Sequence, residues 1–449
     1  MQALIRNAMR GNGLVQLVLR ASATNLSVMA LGTLTSIVTA RMFGAEGRGE
    51  LAAILFWGTF LPGLITFGLP TSLTYNMKRH ADRAGEYVRL AFAVQLPASL
   101  LAAAAAWICL PAWLAGYTPA VAETARWYAL LTIPVLVTGG LLAGLAQSLE
   151  RFALYNGLKL YIPLSNLLGY LALWASGVTD VRPAAFVYAA TTVLVTVISL
   201  YQLRDCLRLD WRKPRFDRSA AASLFSYGSR VFGVELMGTL YNQLDKLIII
   251  SMLTPRHLGL YTVVYALSRL FNTVQNAVTN VLFPKLAALE PDRVAAAAGR
   301  AFRISTAVML AVLAPCLALG KLLLGLLFGP EFGSAAPTFY LLALECVVGG
   351  ASWILSTSFN AVGRPGLVLA RQIVAMGATV GLMFVFIPGF GMEGIALAML
   401  AGSFIRLAFS LLAMAVLFRM PVLSIVFDRS DFAYLREASR KLKTRLRSA

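Results

Sequence analysis

The stretch RMFGAEGRG at residues 41–49 and the stretch SMLTPRHLG at residues 251–259 stand at equivalent places, each between two long apolar segments. Their last residues, Gly49 and Gly259, are 210 positions apart. Because loops recur together with apolar segments, the sequence predicts a duplicated chain made of two related halves. Further pairs recur at an offset of 213: Gly116 with Gly329, Gln147 with Asn360, Arg151 with Arg364 and Lys159 with Gln372.

The composition is typical of a membrane protein. Of 449 residues, 59% are hydrophobic and 13% are charged, and the mean hydropathy is +0.73. A helix needs about 20 apolar residues to cross the hydrocarbon core of a bilayer. We predict an all-α integral membrane fold with twelve transmembrane helices in two pseudo-symmetric six-helix lobes around a central cavity. The spans are expected near residues 14–40, 51–76, 88–110, 124–146, 155–176, 184–204, 222–250, 258–284, 303–327, 336–360, 367–388 and 393–418.

The repeat and the charged connections predict four regions. The first lobe covers residues 1–206 with helices 1–6, and a cytoplasmic linker covers residues 207–219. The second lobe covers residues 220–418 with helices 7–12, and a basic cytoplasmic tail follows at residues 419–449. Apolar residues near the start of this tail and basic residues near its end fit either a short interfacial helix or a disordered segment.

The net charge of +19 follows a membrane pattern. The first span has no signal-peptide cleavage site, so we expect it to be retained, with the N-terminus inside. On that topology 26 Lys and Arg residues face the cytoplasm. This positive-inside bias predicts a multi-pass protein of the bacterial inner membrane with both termini cytoplasmic, and it explains the basic charge without nucleic acid. Only 5 face the periplasm: Arg41, Arg48, Arg126, Arg182 and Arg256.

Several enzyme classes are disfavoured by what the sequence lacks. It has no GxxxxGK[ST], HExxH or GxSxG motif, and its two histidines are His80 and His257. We therefore expect no ATPase, no metal site, no cofactor and no catalytic activity. The predicted periplasmic connections are short, which argues against a membrane glycan polymerase or ligase, the main alternative from another functional class.

Ionisable residues inside the predicted spans indicate a binding function. Inserting one charged side chain into the membrane costs about 2.5 to 3.5 kcal/mol, so a charged residue far from a helix end is expected to have a structural or functional role. Near a cytoplasmic end, a long side chain can either reach the surface or face a cavity. Four residues lie near such ends: Arg20, Lys159, Arg230 and Arg371. Four lie deeper: Asp245, Lys246, Arg269 and Arg406.

The deep charges leave two hypotheses open. Asp245 and Arg269 are expected at similar depths on consecutive helices, where they would form a structural ion pair. With Glu235 and Glu345, Asp245 is also a candidate for ion pairing or ion coupling. Cations outnumber these acids, so an anionic ligand is expected to supply the missing countercharge. The predicted substrate-binding cavity contains Arg20, Lys159, Arg230, Lys246, Arg269, Arg371 and Arg406.

The motifs around helices 7 and 8 resemble those of a known family. Residues 241–250, YNQLDKLIII, close helix 7, Gly259-Leu-Tyr261 opens helix 8, and RMFG at residues 41–44 is similar to the family's first hairpin loop. Over residues 14–418 the chain resembles the polysaccharide (Wzx-like, oligosaccharidyl-lipid) flippases of the multidrug/oligosaccharidyl-lipid/polysaccharide exporter superfamily. The resemblance implies a bilobed carrier that moves undecaprenyl-diphosphate-linked oligosaccharide to the periplasmic leaflet by alternating access, for O-antigen, capsule or exopolysaccharide assembly.

The resemblance also implies partners and alternatives. The partners would be the undecaprenyl-diphosphate-linked glycan, membrane lipids, and polysaccharide polymerase and chain-length machinery, with the flippase itself a monomer. Lipid II flippases carry two further C-terminal spans, and multidrug exporters often depend on an acidic residue in the first helix, where this chain has Asn25 and Ser27. A non-transporting assembly partner is a further alternative, which the deep cations disfavour.

Overall fold

The structure is a computed structural model that describes residues 14–207, residues 218–428 and Asp431. These residues form α-helices joined by short turns, and no β-strand occurs among them. The first seven helices are α1 (Leu14–Ile65), α2 (Leu69–Arg79), α3 (Ala84–Trp113), α4 (Pro119–Ser148), α5 (Phe152–Ala175), α6 (Val181–Gln202) and α7 (Arg204–Leu207). The next seven are α8 (Arg218–Met252), α9 (Pro255–Ser268), α10 (Asn272–Ala287), α11 (Pro291–Phe328), α12 (Ala336–Ala361), α13 (Pro365–Phe418) and α14 (Val422–Val426).

Two of the longest helices are each broken by a glycine. Gly44 in α1 has φ 67° and ψ −173°, and Gly391 in α13 has φ 54° and ψ −126°, both outside helical geometry. A positive φ costs glycine no Cβ clash, so the chain can turn sharply at these points without leaving a long loop. Each of the two helices therefore acts as a pair of consecutive apolar helices.

Two predicted spans are interrupted, which corrects the sequence-based boundaries. The span expected at residues 51–76 ends as a helix at Ile65 and resumes at Leu69, because Phe67 and Gly68 both take positive φ. The span expected at residues 258–284 is broken by a 3₁₀ turn at Arg269–Phe271. Periodicity marks where apolar residues continue, but it does not report such local changes of backbone geometry.

Seven helical stretches in the described part of the chain are long and apolar enough to cross a membrane. Their outward faces carry large hydrophobic side chains with little protein cover, for example Leu101, Ile108 and Val416. Exposed apolar side chains of this size are typical of helices that face lipid. The protein is thus a multi-pass membrane protein. The stretches are Ala23–Ile65, Ala81–Trp113, Pro119–Ser148, Val181–Gln202, Arg293–Phe328, Pro330–Ala361 and Pro365–Phe418.

The chain divides into two compact units, Met1–Val263 and Val264–Ala449, with the boundary inside α9. The sequence placed its lobe boundary earlier, at residues 207–219, most of which fall outside the described residues. The difference concerns α8, which packs with the first compact unit although the repeat assigns it to the second half. The lobe boundaries taken from the repeat stay a prediction.

Two turns at the predicted repeat offset have the same geometry. Glu150, between α4 and α5, and Gly363, between α12 and α13, are 213 residues apart and have φ 58° and 72°. The next amide, that of Arg151 or Arg364, donates to a carbonyl oxygen five residues earlier at 2.9 Å or 2.8 Å. Both turns are Schellman-type helix ends, in which a positive φ closes the last helical turn. The same backbone solution therefore occurs at the same place in both halves.

A reciprocal glycine contact joins α1 to α9 within the first unit. A Cβ added to Gly49 would lie 1.7 Å from the carbonyl oxygen of Pro255, and one added to Gly259 would lie 1.8 Å from that of Ala45. Only glycine permits so close an approach of two backbones. Ala45 and Pro255 are themselves 210 residues apart, like the two glycines, so the contact is self-complementary in the manner of an isologous interface.

Polar and aromatic contacts fasten α8 to α2. Ser72 Oγ donates to the carbonyl oxygen of Leu224 at 2.6 Å. Ser223 Oγ donates to Asn76 Oδ1 at 2.6 Å. Beside them the rings of Tyr75 and Tyr227 stack with their centroids 4.0 Å apart. These bonds explain why α8 belongs to the first compact unit.

In the second unit, α12 is the central helix. In the most apolar stretch of α12, 72% of the residues are buried. The corresponding stretches of α11 and α13 have 22% and 17% of their residues buried. The buried face of such a helix must satisfy its polar side chains through its neighbours rather than through solvent. The buried polar side chains of α12 are therefore candidates for a functional site.

Candidate functional site

A buried carboxylate on α12 lies between two arginines. Glu345 is 1% exposed. Its Oε2 is 3.1 Å from Arg269 Nη1, and its Oε1 is 3.0 Å from Arg406 Nη2. Ser403 Oγ also donates to Oε1 at 2.7 Å. One carboxylate thus holds guanidinium groups from two other segments, the 3₁₀ turn after α9 and the second half of α13.

The two arginines differ in accessibility. The Arg269 side chain is 23% exposed and its Cζ lies 4.4 Å from the ring centroid of Tyr265, whereas the Arg406 side chain is 7% exposed. Arg269 stands at a break in the helix, where a side chain can be reoriented with less disturbance than inside a regular helix. An entering anion would therefore meet Arg269 before Arg406.

The network continues from Arg406 to Arg371 through two serines. Ser410 Oγ donates to the carbonyl oxygen of Arg406 at 2.8 Å and lies 3.0 Å from Ser352 Oγ. Arg371 Nη1 donates to the carbonyl oxygen and the hydroxyl of Ser352 at 3.0 and 2.8 Å. Because such a chain of bonds is shared, removing one member disturbs its neighbours.

Arg371 is buried, with 1% of its surface exposed, so its side chain does not reach the protein surface as a snorkelling side chain would. Its assignment to a cytoplasmic mouth stays a prediction. Arg371 bonds to Ser352, and its Cζ lies 5.7 Å from the ring centroid of Trp353. These contacts connect α13 to α12. Sequence position alone could not distinguish these cases, because depth along a helix says nothing about which way the side chain points.

The sequence proposed an ion pair of Asp245 with Arg269, and that pair stays a prediction. Asp245 is 2% exposed, its Oδ2 accepts a bond of 2.6 Å from the hydroxyl of Tyr261, and Arg269 pairs with Glu345. The sequence-based depth treated residues 258–284 as one straight helix, and the 3₁₀ turn invalidates that estimate. Asp245 Oδ1 is buried and has no hydrogen-bond partner within the described residues.

The other predicted site residues are distributed over the first unit. Lys246 Nζ donates to the Asn242 carbonyl oxygen at 3.2 Å and to Gln243 Oε1 at 3.0 Å. Glu235 accepts a bond of 2.8 Å from Thr71 Oγ1. Arg230 is exposed, and the side chain of Arg20 lies outside the described residues.

Lys159 and Arg48 line one cavity in the first unit. Lys159 is exposed, and its Nζ lies 4.4 Å from the ring centroid of Tyr155. Sequence reasoning missed Arg48, which it counted as a periplasmic loop charge. The available signal was its spacing, because Arg48, Leu51 and Leu55 follow the i, i+3, i+7 pattern of one helix face and all line the cavity.

Charged groups at the turns have local partners. The Lys78 ammonium donates to Glu150 and lowers the pKa of that carboxyl. Arg182 Nε donates to Asp180 at 2.6 Å and lowers the pKa of that carboxyl in the same way. Among the described residues no group of three or more His, Cys, Asp or Glu side chains could hold a metal ion.

Comparisons with known proteins agree with this architecture. The profile of a family described as polysaccharide biosynthesis protein matches residues 38–337, about two thirds of the chain. The chain is 25% identical over 191 residues to the probable low-salt glycan biosynthesis flippase Agl15 of Haloferax volcanii. That match covers 42% of this chain and 40% of the relative, so it spans less than half of the relative's length.

Solved structures share the fold. The lipid II flippase MurJ in an inward closed conformation superposes with a TM-score of 0.75 at 11% identity, covering 90% of this chain and 89% of that one. An inward-facing multidrug transporter of the MATE family superposes with a TM-score of 0.69 at 15% identity, covering 93% and 99%. The resemblance inferred from residues 241–261 is confirmed. The chain belongs to the polysaccharide biosynthesis protein family and has the fold of the multidrug/oligosaccharidyl-lipid/polysaccharide exporter superfamily.

Proposed function

We propose that the protein is a flippase for lipid-linked oligosaccharide, a transporter without catalytic activity of its own. The cargo would be an undecaprenyl-diphosphate-linked glycan, moved across the bacterial inner membrane for O-antigen, capsule or exopolysaccharide assembly. Membership of the polysaccharide biosynthesis family and a membrane-spanning helical fold support this class of function. The observation that carries the proposal is the pair of guanidinium groups around Glu345.

A diphosphate is the cargo group that fits this pair. Two arginines and one carboxylate leave one net positive charge among these three groups, inside a bundle of apolar helices. Guanidinium groups match phosphate oxygens with a fork of donors and stay charged when partly desolvated. The polyprenyl tail can remain in lipid, so only the headgroup has to enter the protein.

Glu345 has a definite role in this mechanism. In the empty protein its carboxylate holds Arg269 and Arg406 in place, which prevents two bare cations from repelling each other. When a diphosphate arrives, it competes with Glu345 for Arg269, the more accessible of the two. Because the carboxylate can retake its partners, cargo is held only moderately and can leave on the other side.

Alternating access needs parts that close and open. We infer twelve spans in two pseudo-symmetric lobes, residues 1–206 and 220–418, with both termini cytoplasmic. The matching turns at Glu150 and Gly363 support this duplication. The reciprocal contact joins Gly49, shortly after the break at Gly44 in α1, to Gly259 near the start of α9, and both lie beside predicted periplasmic loops. There it would close the periplasmic side.

Reconstitution tests the function directly. The full chain is placed in lipid vesicles with a fluorescent undecaprenyl-diphosphate oligosaccharide, and movement to the outer leaflet is followed by lectin capture. We expect movement that protein-free vesicles do not show and that an undecaprenyl-linked sugar without phosphate does not undergo. Lipid II and a cationic drug, the cargoes of two related transporter classes, serve as competing substrates. Equal rates with and without protein would contradict the proposal.

A further inference from the structure

A cavity of about 590 Å³ lies inside the first compact unit. Residues of α1, α4, α5 and α6 line it, and most of its wall is apolar or small, as at Leu51, Leu136 and Gly140. Arg48 and Lys159 are the charged residues on its described lining, and no carboxylate lines it among those residues. The cavity is therefore electropositive, with apolar walls.

Among the described residues, no recorded ion pair includes the Arg48 guanidinium. Its Nε is buried and has no hydrogen-bond partner within the same part of the chain. A cation with a buried donor is unstable inside a helical bundle unless something binds it. Arg48 thus differs from Arg269 and Arg406, which share a carboxylate.

Three hydroxyl groups on the same lining are also without partners. Thr35 Oγ1, Ser36 Oγ and Tyr170 Oη are buried, and each lacks a hydrogen-bond partner among the described residues. Buried polar groups in native proteins are nearly always bonded to protein, ordered water or ligand. Hydroxyl and guanidinium groups can all donate, so the group that satisfies them together must be rich in acceptors.

We propose that this cavity is a binding site for an oxyanion, a phosphate or carboxylate group carried by an amphipathic molecule. Arg48 provides the charge and the fork of donors, and the hydroxyls of Thr35 and Tyr170 complete the coordination. The apolar wall accommodates the remainder of the molecule. The site is additional to the Arg269, Glu345 and Arg406 cluster, so it does not depend on the role proposed for that cluster.

A cysteine inside the cavity reports occupancy. Ser36→Cys is introduced into the full chain, which is purified in detergent and treated with a maleimide, and modification at position 36 is read by peptide mass spectrometry. Pyrophosphate, farnesyl diphosphate and glucuronate are compared with sodium chloride at equal ionic strength. We expect at least one oxyanion to slow modification, and Arg48→Gln to raise the concentration needed by about tenfold or more.

The matched control is Arg182→Gln, which removes an exposed arginine of the same unit. It should leave the protection unchanged. Stronger protection by farnesyl diphosphate than by pyrophosphate would identify a lipid-linked phosphate as the ligand, and protection by glucuronate would identify an acidic sugar. The proposal is overturned if no oxyanion protects position 36, or if protection is the same with Arg48→Gln in a monodisperse protein.

Two milder variants keep the test decisive if Arg48→Gln does not fold. Arg48→Lys keeps the charge and loses the fork, and Tyr170→Phe removes one hydroxyl from the lining. Each should weaken protection several-fold while the elution volume on gel filtration stays unchanged. Unchanged protection in both variants would likewise overturn the proposal.

Discussion

Arg48 in the first compact unit and Arg406 in the second both bring a guanidinium group into the interior, but their surroundings differ. Arg406 lies 3.0 Å from a carboxylate that it shares with Arg269. Arg48 lies in a cavity without a carboxylate on its described lining, beside hydroxyl groups that lack partners. The two compact units therefore surround a buried positive charge in two different ways.

If the protein is the carrier proposed above, this difference gives its two arginine sites different binding strengths. A cation already paired with a carboxylate binds a second anion only by exchange, so its affinity is moderate and release is easy. A cation without a bonded countercharge binds an anion more strongly, because the ligand is its first partner. At an offset of 210, Asp245 and Lys246 correspond to Thr35 and Ser36, so the divergence reaches the first and seventh helices of the repeat.

The largest expected effect comes from removing the shared carboxylate. Glu345→Ala leaves the buried Arg406 guanidinium facing the partly buried one of Arg269, and we expect it to lower the free energy of unfolding by about 3 to 5 kcal/mol. Glu345→Gln should cost less, because the amide oxygen still accepts a hydrogen bond. Thermal unfolding followed by tryptophan fluorescence measures both. Glu123→Ala, at an exposed position, is the control, and equal melting temperatures for all three would show that Glu345 does not brace the arginines.

Arg371 distinguishes a structural cation from a cargo-binding one. Arg371→Ala removes donors to the carbonyl oxygen and hydroxyl of Ser352, and we expect a loss of about 1 to 3 kcal/mol in unfolding free energy. The transport rate per folded molecule should change little. If the variant were as stable as the wild type but did not transport, the cavity role first suggested by the sequence would be supported.

The glycine contact tests whether the two halves close on each other. Gly49→Ala or Gly259→Ala would place a Cβ within 1.8 Å of a carbonyl oxygen, so the contact must open by an ångström or more. We expect a cysteine at Thr254 to react faster with a membrane-impermeant maleimide. Gly238→Ala is the matched control, because a Cβ there meets no atom within 4 Å. An unchanged rate in the first two variants would remove the contact from the closing mechanism.

The smallest effect concerns the tail. Asp431 accepts hydrogen bonds from Arg303 and Arg300, which lower the pKa of its carboxyl. A lowered pKa contributes stability above the ordinary value of about 3.9, and this is lost as the pH falls through the lower value. Docking of the tail should therefore be constant from pH 7 to 5 and weaken below pH 4. Asp431→Asn should cost roughly 1 kcal/mol at pH 7, seen as faster tryptic cleavage after Arg419. Equal cleavage in both proteins would contradict this assignment.

Sequence reasoning recovered the class of the fold and part of the site. Apolar segments and the offset of 213 predicted helices whose ends recur between the halves, as at Phe152 and Pro365. It also selected Arg269, Arg406 and Glu345, because a charge in an apolar span is conspicuous in any register. The sequence did not predict that these three residues would pair with one another. The 3₁₀ turn at Arg269–Phe271 interrupts the helix that the sequence predicted there, and no periodicity reports such a turn.

Arg48 is a residue that the sequence analysis did not select as a candidate site residue. It follows a glycine-rich loop in the sequence, and a loop charge is ordinarily solvated, so the positive-inside count treated Arg48 as a periplasmic loop charge. The break at Gly44 restarts the helix at once, which turns residue 48 inward. Backbone geometry at a single glycine therefore decides whether this arginine faces solvent or a cavity.

Arg406 provides the most direct test of diphosphate exchange at the shared carboxylate. Vesicles with equal amounts of folded wild type, Arg406→Lys and Arg406→Ala are loaded with the fluorescent undecaprenyl-diphosphate oligosaccharide, and the translocation rate is measured by lectin capture. We expect Arg406→Lys to keep part of the rate and Arg406→Ala to lose at least about 90% of it, as removal of a charge-assisted phosphate contact implies. Normal translocation by Arg406→Ala would contradict the proposed mechanism.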